Sequence, residues 1–119
     1  MRRVLVVLLA VVLPGLLFPV PAGAQQRVIT AFLFRYNPSP VGLASGDTLV
    51  FLNADPLAGE GHSVTHAAPP AERLFDSAIV LTGDSSEVTR VSALKPGSYN
   101  ITCRVHAFMT GILTVGGAS

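Results

Sequence analysis

The chain lacks several features that other classes of protein depend on. Its 119 residues include a single cysteine, Cys103, which excludes an internal disulfide. There is no block of basic residues, so nucleic acid is not an expected partner. Beyond the first 24 residues, no window of helical length repeats apolar residues at the i, i+3, i+4 spacing of an amphipathic helix. These absences point to a small strand-rich domain that is stable without disulfides.

The first 24 residues show the three regions of a secretory signal peptide. Residues 1–3 are a charged start, residues 4–18 are strongly apolar, and residues 22–24 form a small-residue cleavage site. Prolines and a glycine interrupt the apolar segment, so it is a poor membrane-spanning helix. We expect cleavage after Ala24 and export to the periplasm or the medium. The mature form should then have no membrane span.

Residues 25–119 have the length and pattern of one small domain. This domain contains six lysines and arginines and seven aspartates and glutamates, so its net charge is near neutral. Short runs of β-branched and aromatic residues, separated by turn residues, predict strands at 28–36, 48–52, 63–65, 87–91, 98–102 and 111–115. Regular short strands without helices are typical of an antiparallel β-sandwich or barrel.

One short segment near the C-terminus combines three metal-binding side chains. Cys103, His106 and Met109 place a thiolate, an imidazole and a thioether at three-residue intervals. A blue-copper electron-transfer site uses two histidines, one cysteine and a long axial methionine. A second histidine is available upstream at His62, and His66 is the alternative. The donor types therefore predict a copper site.

Each of these residues alone has a simpler explanation. A lone cysteine is more often a buried core residue than a ligand, and Met109 by itself would more often fill the core. The Cys-His-Met spacing within an exported β domain favours metal ligation, which also protects an exported thiol from oxidation. Phe108, beside the predicted ligand His106, is either exposed or packed. The aromatic residues expected in the core are Phe32, Phe34, Phe51 and Tyr99.

Several short elements, in their order along the chain, carry a family resemblance. They are Gly46-Asp47-Thr48, Asn53-x-Asp55, His62-Ser63-Val64, Phe75-Asp76-Ser77, Lys95-Pro96-Gly97-Ser98-Tyr99 and Cys103-x-x-His106-x-x-Met109-x-Gly111. The chain resembles the cupredoxins of the plastocyanin, amicyanin and pseudoazurin group, and its short Cys-to-Met loop is most similar to amicyanin. The resemblance implies an all-β, Greek-key antiparallel β-sandwich of seven or eight short strands. It also implies one type 1 copper ion held by His62, Cys103, His106 and Met109.

The chain departs from the cupredoxin pattern beside the predicted ligands. Ser63 stands where plastocyanins usually have an asparagine that braces the copper loop. Arg104, Val105 and Ala107 stand where small residues and prolines are common. These departures predict a more loosely held loop or a shifted potential, and none of them removes a ligand.

The resemblance implies a monomeric electron shuttle that exchanges electrons with larger redox proteins. The alternative is a copper-binding or copper-delivery protein without a dedicated redox partner. We expect no enzyme activity, because three histidines are too few to build further copper centres. Zinc is disfavoured, since methionine is a poor zinc ligand.

Overall fold

A computed structural model describes residues 23–117 and confirms an all-β sandwich, with eight strands in two sheets. The strands are β1 Gln26–Phe32, β2 Arg35–Asn37, β3 Val41–Ala44, β4 Thr48–Asn53, β5 Thr65–His66, β6 Ser85–Val88, β7 Gly97–Thr102 and β8 Thr110–Gly116. Short 3-10 turns occupy Pro70–Glu72 and Val91–Ala93. Residues 23–117 contain no helix long and apolar enough to cross a membrane. Residues 1–22 of the predicted signal peptide, which spans residues 1–24, lie outside the described residues.

The strand order shows how the chain crosses between the two sheets. One sheet has the order β2-β1-β4-β6 and the other has the order β3-β8-β7-β5. Each sheet contains one parallel pair, β1 with β4 and β3 with β8, and its other pairs are antiparallel. The sheets are therefore mixed, whereas an antiparallel sandwich was predicted. After β1 and β2 the chain forms β3 in the second sheet and then crosses back to form β4 in the first, and such a crossover allows parallel pairing of β1 with β4.

The single strand predicted at residues 28–36 is instead a hairpin of β1 and β2. The turn residues Leu33 and Phe34 both have positive φ angles, of 50° and 61°. Two-residue hairpin turns of this kind usually carry Asn-Gly, so Leu33-Phe34 is not recognisable as a turn from its residue types. A left-handed conformation costs a non-glycine residue about 1–2 kcal/mol. Contacts that Phe34 makes in the candidate site help to hold it in this conformation.

The core lies between the two sheets and contains other aromatic residues than those expected. Phe51 is fully buried as predicted, but Phe32 is half exposed, and Phe34 and Tyr99 are only partly buried. Side chains alternate between the two faces of β1, so Phe32 faces outward because residues 29 and 31 face inward. Tyr36 and Phe75 are buried instead.

A buried carboxylate fixes the beginning of β1. Asp47 accepts hydrogen bonds from the backbone N–H groups of Gln25 at 2.8 Å and Ala44 at 2.9 Å. It also pairs with Arg27 at 3.2 Å. The backbone hydrogen bonds from Ala44 and Gln25 hold the pKa of Asp47 below its ordinary value, against the opposing effect of burial. The start of the described domain is therefore tied to the turn before β4.

Candidate metal centre

Three of the four predicted ligands come together at one end of the sandwich. Cys103 follows β7, His106 lies on the loop before β8, and His62 precedes β5. Their donor atoms all lie within 4.8 Å of one another. The Cys103 sulfur is 3.7 Å from Nδ1 of His62 and 3.9 Å from Nδ1 of His106. Two ring nitrogens therefore face one sulfur.

These separations suit a shared metal ion. Metal–nitrogen bonds of about 2.0–2.1 Å and metal–sulfur bonds of about 2.3 Å place the two donors roughly 3.6–3.8 Å apart at ordinary coordination angles. The two sulfur–nitrogen distances agree with that spacing to within a few tenths of an ångström. The residues present thus fit a metal ion in both donor type and spacing.

The Cys103 sulfur also has two backbone donors. The N–H groups of Ser63 and Val105 each donate to it at 3.4 Å. The sulfur is almost fully buried, so these donors replace hydration that a thiolate would have in water. Two N–H dipoles directed at the sulfur suit a charged ligand atom.

Asp55 orients the His62 ring. The Nε2 atom of His62 lies 2.9 Å from Oδ2 of Asp55, and both side chains are fully buried. A carboxylate can only accept, so Nε2 carries the hydrogen and Nδ1 keeps a lone pair directed toward Cys103. Metal-binding histidines commonly use such an outer partner. Asp55 was matched as a family element in the sequence, but its contact with His62 could not be read from it.

Backbone donors hold Asp55 in turn. Its Oδ2 accepts from the N–H of Phe34 at 2.7 Å, and its Oδ1 accepts from the N–H of Leu57 at 3.0 Å. Burial raises the pKa of Asp55, but the hydrogen bonds from His62, Leu57 and Phe34 outweigh burial and leave the pKa below its ordinary value. The carboxylate therefore links the strained β1–β2 turn to the candidate ligand.

His106 lies closer to the surface than His62. Its Nε2 atom is 3.3 Å from Oε1 of the exposed Glu60. The Phe34 ring packs edge-on against His62 and His106, with centroid distances of 5.5 and 5.1 Å. Phe108 is 71% exposed, and its ring centroid is 5.9 Å from that of His106. The exposed alternative for Phe108 is confirmed.

Met109 closes the loop that carries Cys103 and His106. Its backbone N–H donates to the His106 carbonyl at 2.9 Å, and its carbonyl accepts from the Cys103 N–H at 3.2 Å. The side chain is 1% exposed and belongs to the buried core cluster. Burial is compatible with either an axial ligand or core filling, so the ligand role of Met109 stays a prediction.

His66, the alternative upstream ligand, lies outside this cluster. Its Nδ1 atom accepts a hydrogen bond from the Leu74 N–H at 3.1 Å. Its ring stacks on Phe75, with centroids 5.1 Å apart. Of the two upstream histidines, the structure therefore places His62 beside Cys103. His66 is partly buried, where a surface position was expected.

Ser63 and Arg104, two of the departures from the cupredoxin pattern, form hydrogen bonds at the loop, and the effect of the departures on its flexibility and potential stays a prediction. The Ser63 Oγ atom accepts a hydrogen bond from the backbone N–H of Arg104 at 2.9 Å, which fixes the residue next to Cys103. The Arg104 side chain is also bound, since its Nη2 donates to the Ser77 carbonyl at 2.7 Å. Two of the four departures from the cupredoxin pattern, Ser63 and Arg104, thus take part in holding the loop.

Comparisons with known proteins give a likeness of fold. No protein-family model matches the chain, and no curated protein sequence matches it. Solved structures of amicyanin variants do match. An oxidised variant is 21% identical, with a TM-score of 0.61 over 76% of this chain and 81% of that one. A reduced Cu(I) form at pH 4 is 23% identical, with a TM-score of 0.60 over 81% of this chain and 85% of that one. The chain therefore has the cupredoxin fold that the sequence resemblance implied.

Proposed function

We propose that this chain is an exported type 1 copper protein that acts as a small electron shuttle. One observation carries the proposal: Nδ1 of His62 and Nδ1 of His106 both face the sulfur of Cys103, at 3.7 and 3.9 Å, at one end of a cupredoxin sandwich. Three of the matching amicyanin structures are described as Cu(I) forms.

The donor set favours copper among the divalent and monovalent metals. His62, Cys103 and His106 would hold one copper ion per chain, with Met109 as a weak axial ligand. When bound, copper supplies one-electron chemistry by cycling between Cu(I) and Cu(II). A thiolate with two imidazoles serves both oxidation states moderately well, whereas a zinc site would gain little from a thioether.

The protein's own residues keep the site rigid and dry. His62 is fully buried, and Cys103 is 2% exposed. The hydrogen bond from His62 to Asp55 and those from two backbone amides to Cys103 restrict the movement of both ligands. A site that changes little between oxidation states transfers electrons with a small reorganisation cost.

The surface beside His106 suits brief contact with a larger redox protein. Leu33 is 49% exposed and Phe108 is 71% exposed, and Phe34 lies between Phe108 and the two histidine rings. The exposed apolar side chains allow a small, transient interface. The near-neutral domain offers no strong electrostatic steering, so contact near His106 would depend on shape and apolar area. We expect a monomer that acts on no substrate of its own.

A copper-delivery protein without a redox partner is the second candidate, because it would share the same ligands. Electron self-exchange between the copper(I) and copper(II) forms separates the two functions. A shuttle should exchange electrons rapidly, and replacement of exposed Phe108 by Glu should slow the exchange while the absorption spectrum stays unchanged. Slow exchange in the unmodified protein would favour delivery over electron transfer.

A further inference from the structure

A closed ring of hydrogen bonds includes the residue that follows Cys103 on the candidate ligand loop. It is formed by Ser63, Thr65, Asp76 and Arg104, and we refer to it as the four-residue ring. The Arg104 N–H donates to Ser63 Oγ at 2.9 Å, and Ser63 Oγ lies 2.7 Å from Thr65 Oγ1. Thr65 Oγ1 lies 2.6 Å from Asp76 Oδ1, which is also 3.3 Å from Nε of Arg104. Arg104 thus enters the ring twice, once by its backbone and once by its side chain.

The direction of every hydrogen in the ring follows from the carboxylate. The Asp76 carboxylate accepts the hydrogen bond that the Thr65 hydroxyl donates. Thr65 must then accept from the Ser63 hydroxyl. Ser63 Oγ keeps lone pairs for the Arg104 N–H. No hydroxyl in the ring is left without a partner, although Ser63 and Thr65 are fully buried.

Further bonds fix the ring to the fold on both sides. Asp76 accepts from the Ser77 N–H at 2.9 Å, and its own carbonyl accepts from the Thr89 N–H at 2.8 Å. The Arg104 side chain also donates to the Ser77 carbonyl at 2.7 Å. The ring therefore joins three distant parts of the chain, around residues 63–65, 76–77 and 104.

We propose that the four-residue ring is a positioning device that fixes the backbone at Arg104, and with it the sulfur of Cys103 relative to His62. Ser63 is the point of coupling, because its hydroxyl holds Arg104 while its N–H donates to the Cys103 sulfur at 3.4 Å. The effect of the ring on a bound metal rests on the proposed copper function, whereas its effect on the backbone at Arg104 does not.

Thr65→Val tests the ring with little change in shape. Valine keeps the volume of threonine but removes the hydroxyl, so Ser63 loses its acceptor and Asp76 loses a donor. Thr65→Ser restores the hydroxyl. Thr89→Val is the matched control, because the Thr89 hydroxyl also donates to Asp76, but to its carbonyl outside the ring, at 3.0 Å. Arg104→Met is a second test at a partly exposed position, which serves if Thr65→Val fails to fold.

Hydrogen exchange at the backbone amide of residue 104, followed by NMR in the metal-free chain, tests directly whether the ring restrains the backbone there. Loss of one hydrogen-bonded link should speed this exchange roughly 3- to 10-fold in Thr65→Val and in Arg104→Met. Thr65→Ser and Thr89→Val should exchange like the unmodified chain. Equal Arg104 exchange in all variants would overturn the proposal, as would equal acceleration at amides throughout the domain.

The copper-loaded form supplies a second readout that a merely stabilising role would not move. In Thr65→Val, the thiolate-to-copper(II) absorption and the copper hyperfine splitting should shift, whereas Thr89→Val should leave both unchanged. An unshifted spectrum in Thr65→Val would refute the link to the Cys103 sulfur. If no form binds copper, the proposed function fails, and the exchange measurement on the metal-free chain still decides whether the ring fixes the backbone.

Discussion

Replacing Asp55 by Asn is the substitution that most sharply probes the buried pair beside the site. Asparagine has the shape of aspartate but only one acceptor oxygen. In the structure, Oδ2 of Asp55 accepts from His62 and from the Phe34 N–H, while Oδ1 accepts from the Leu57 N–H. Either orientation of the amide therefore places its NH2 group against a backbone N–H. With the NH2 group at the Oδ2 position, His62 can keep its contact only by moving its hydrogen from Nε2 to Nδ1, which then points toward Cys103 and blocks that nitrogen as a ligand. With the NH2 group at the Oδ1 position, the His62 contact is kept and the Leu57 N–H loses its acceptor.

The magnitude follows from these contacts. An unsatisfied buried donor costs about 1–3 kcal/mol, so the free energy of unfolding of Asp55→Asn should fall by about that amount. Loss of an outer partner to a ligating histidine typically lowers metal affinity by about 10- to 100-fold. Removal of a buried negative charge near the site also favours the less positive copper(I), so the reduction potential should rise.

The pH dependence has a definite sign. The pKa of Asp55 is lower in the folded chain than its ordinary value of about 3.9. Its contribution to stability is therefore complete above that value and is lost as the pH falls through the lower folded pKa. The stability deficit of Asp55→Asn should be full at pH 7 and should shrink below about pH 4.

Denaturant unfolding across pH, together with competitive copper titration, measures both effects. Asp84→Asn is a suitable control, because Asp84 is an exposed aspartate outside the hydrogen bonds of the site. Copper affinity and stability of Asp55→Asn equal to those of the control would show that the buried contact with His62 does not orient the ring.

Three further predictions have defined outcomes. Met109→Leu removes a weak donor that favours copper(II), so voltammetry should show a raised reduction potential with copper still bound; an unchanged potential would leave Met109 as core filling. His66→Ala should keep the copper spectrum and His62→Gly should lose or convert it, and the opposite pattern would exchange the two assignments. If export leaves Gln25 as the first residue, its new ammonium group can pair with Asp47, whose carboxylate lies 2.8 Å from that nitrogen. Asp47→Asn should therefore destabilise a chain that begins at Gln25 more than a chain extended at its N-terminus, and equal losses in thermal unfolding would show that the ammonium group does not pair with Asp47.

Local sequence patterns were sufficient to place Cys103 and His106 on one loop between two strands. Met109 ends the same loop, and its role as a ligand stays a prediction. The strands that enclose this loop, β7 and β8, were also predicted within one or two residues, because Lys95-Pro96-Gly97 is a strong turn signal and β-branched residues follow.

Contacts between distant segments could not be predicted in this way. The turn at Leu33 and Phe34 has no glycine or asparagine, and its conformation depends on Asp55, which lies 21 residues beyond Phe34. The four-residue ring joins Ser63 to Arg104 across 41 residues. The sequence does not show what Ser63 and Arg104 contact, because the partners of Arg104 lie 27 to 41 residues away along the chain.

The visible absorption spectrum during copper titration of residues 25–119 tests the central claim most directly. The chain should bind one copper(II) ion and develop an intense charge-transfer band from the Cys103 thiolate, with protons released as the ligands lose them. Cys103→Ser should remove the band while the sandwich stays folded. A colourless complex in the unmodified chain, or a band that persists in Cys103→Ser, would contradict a type 1 copper site built on His62, Cys103 and His106.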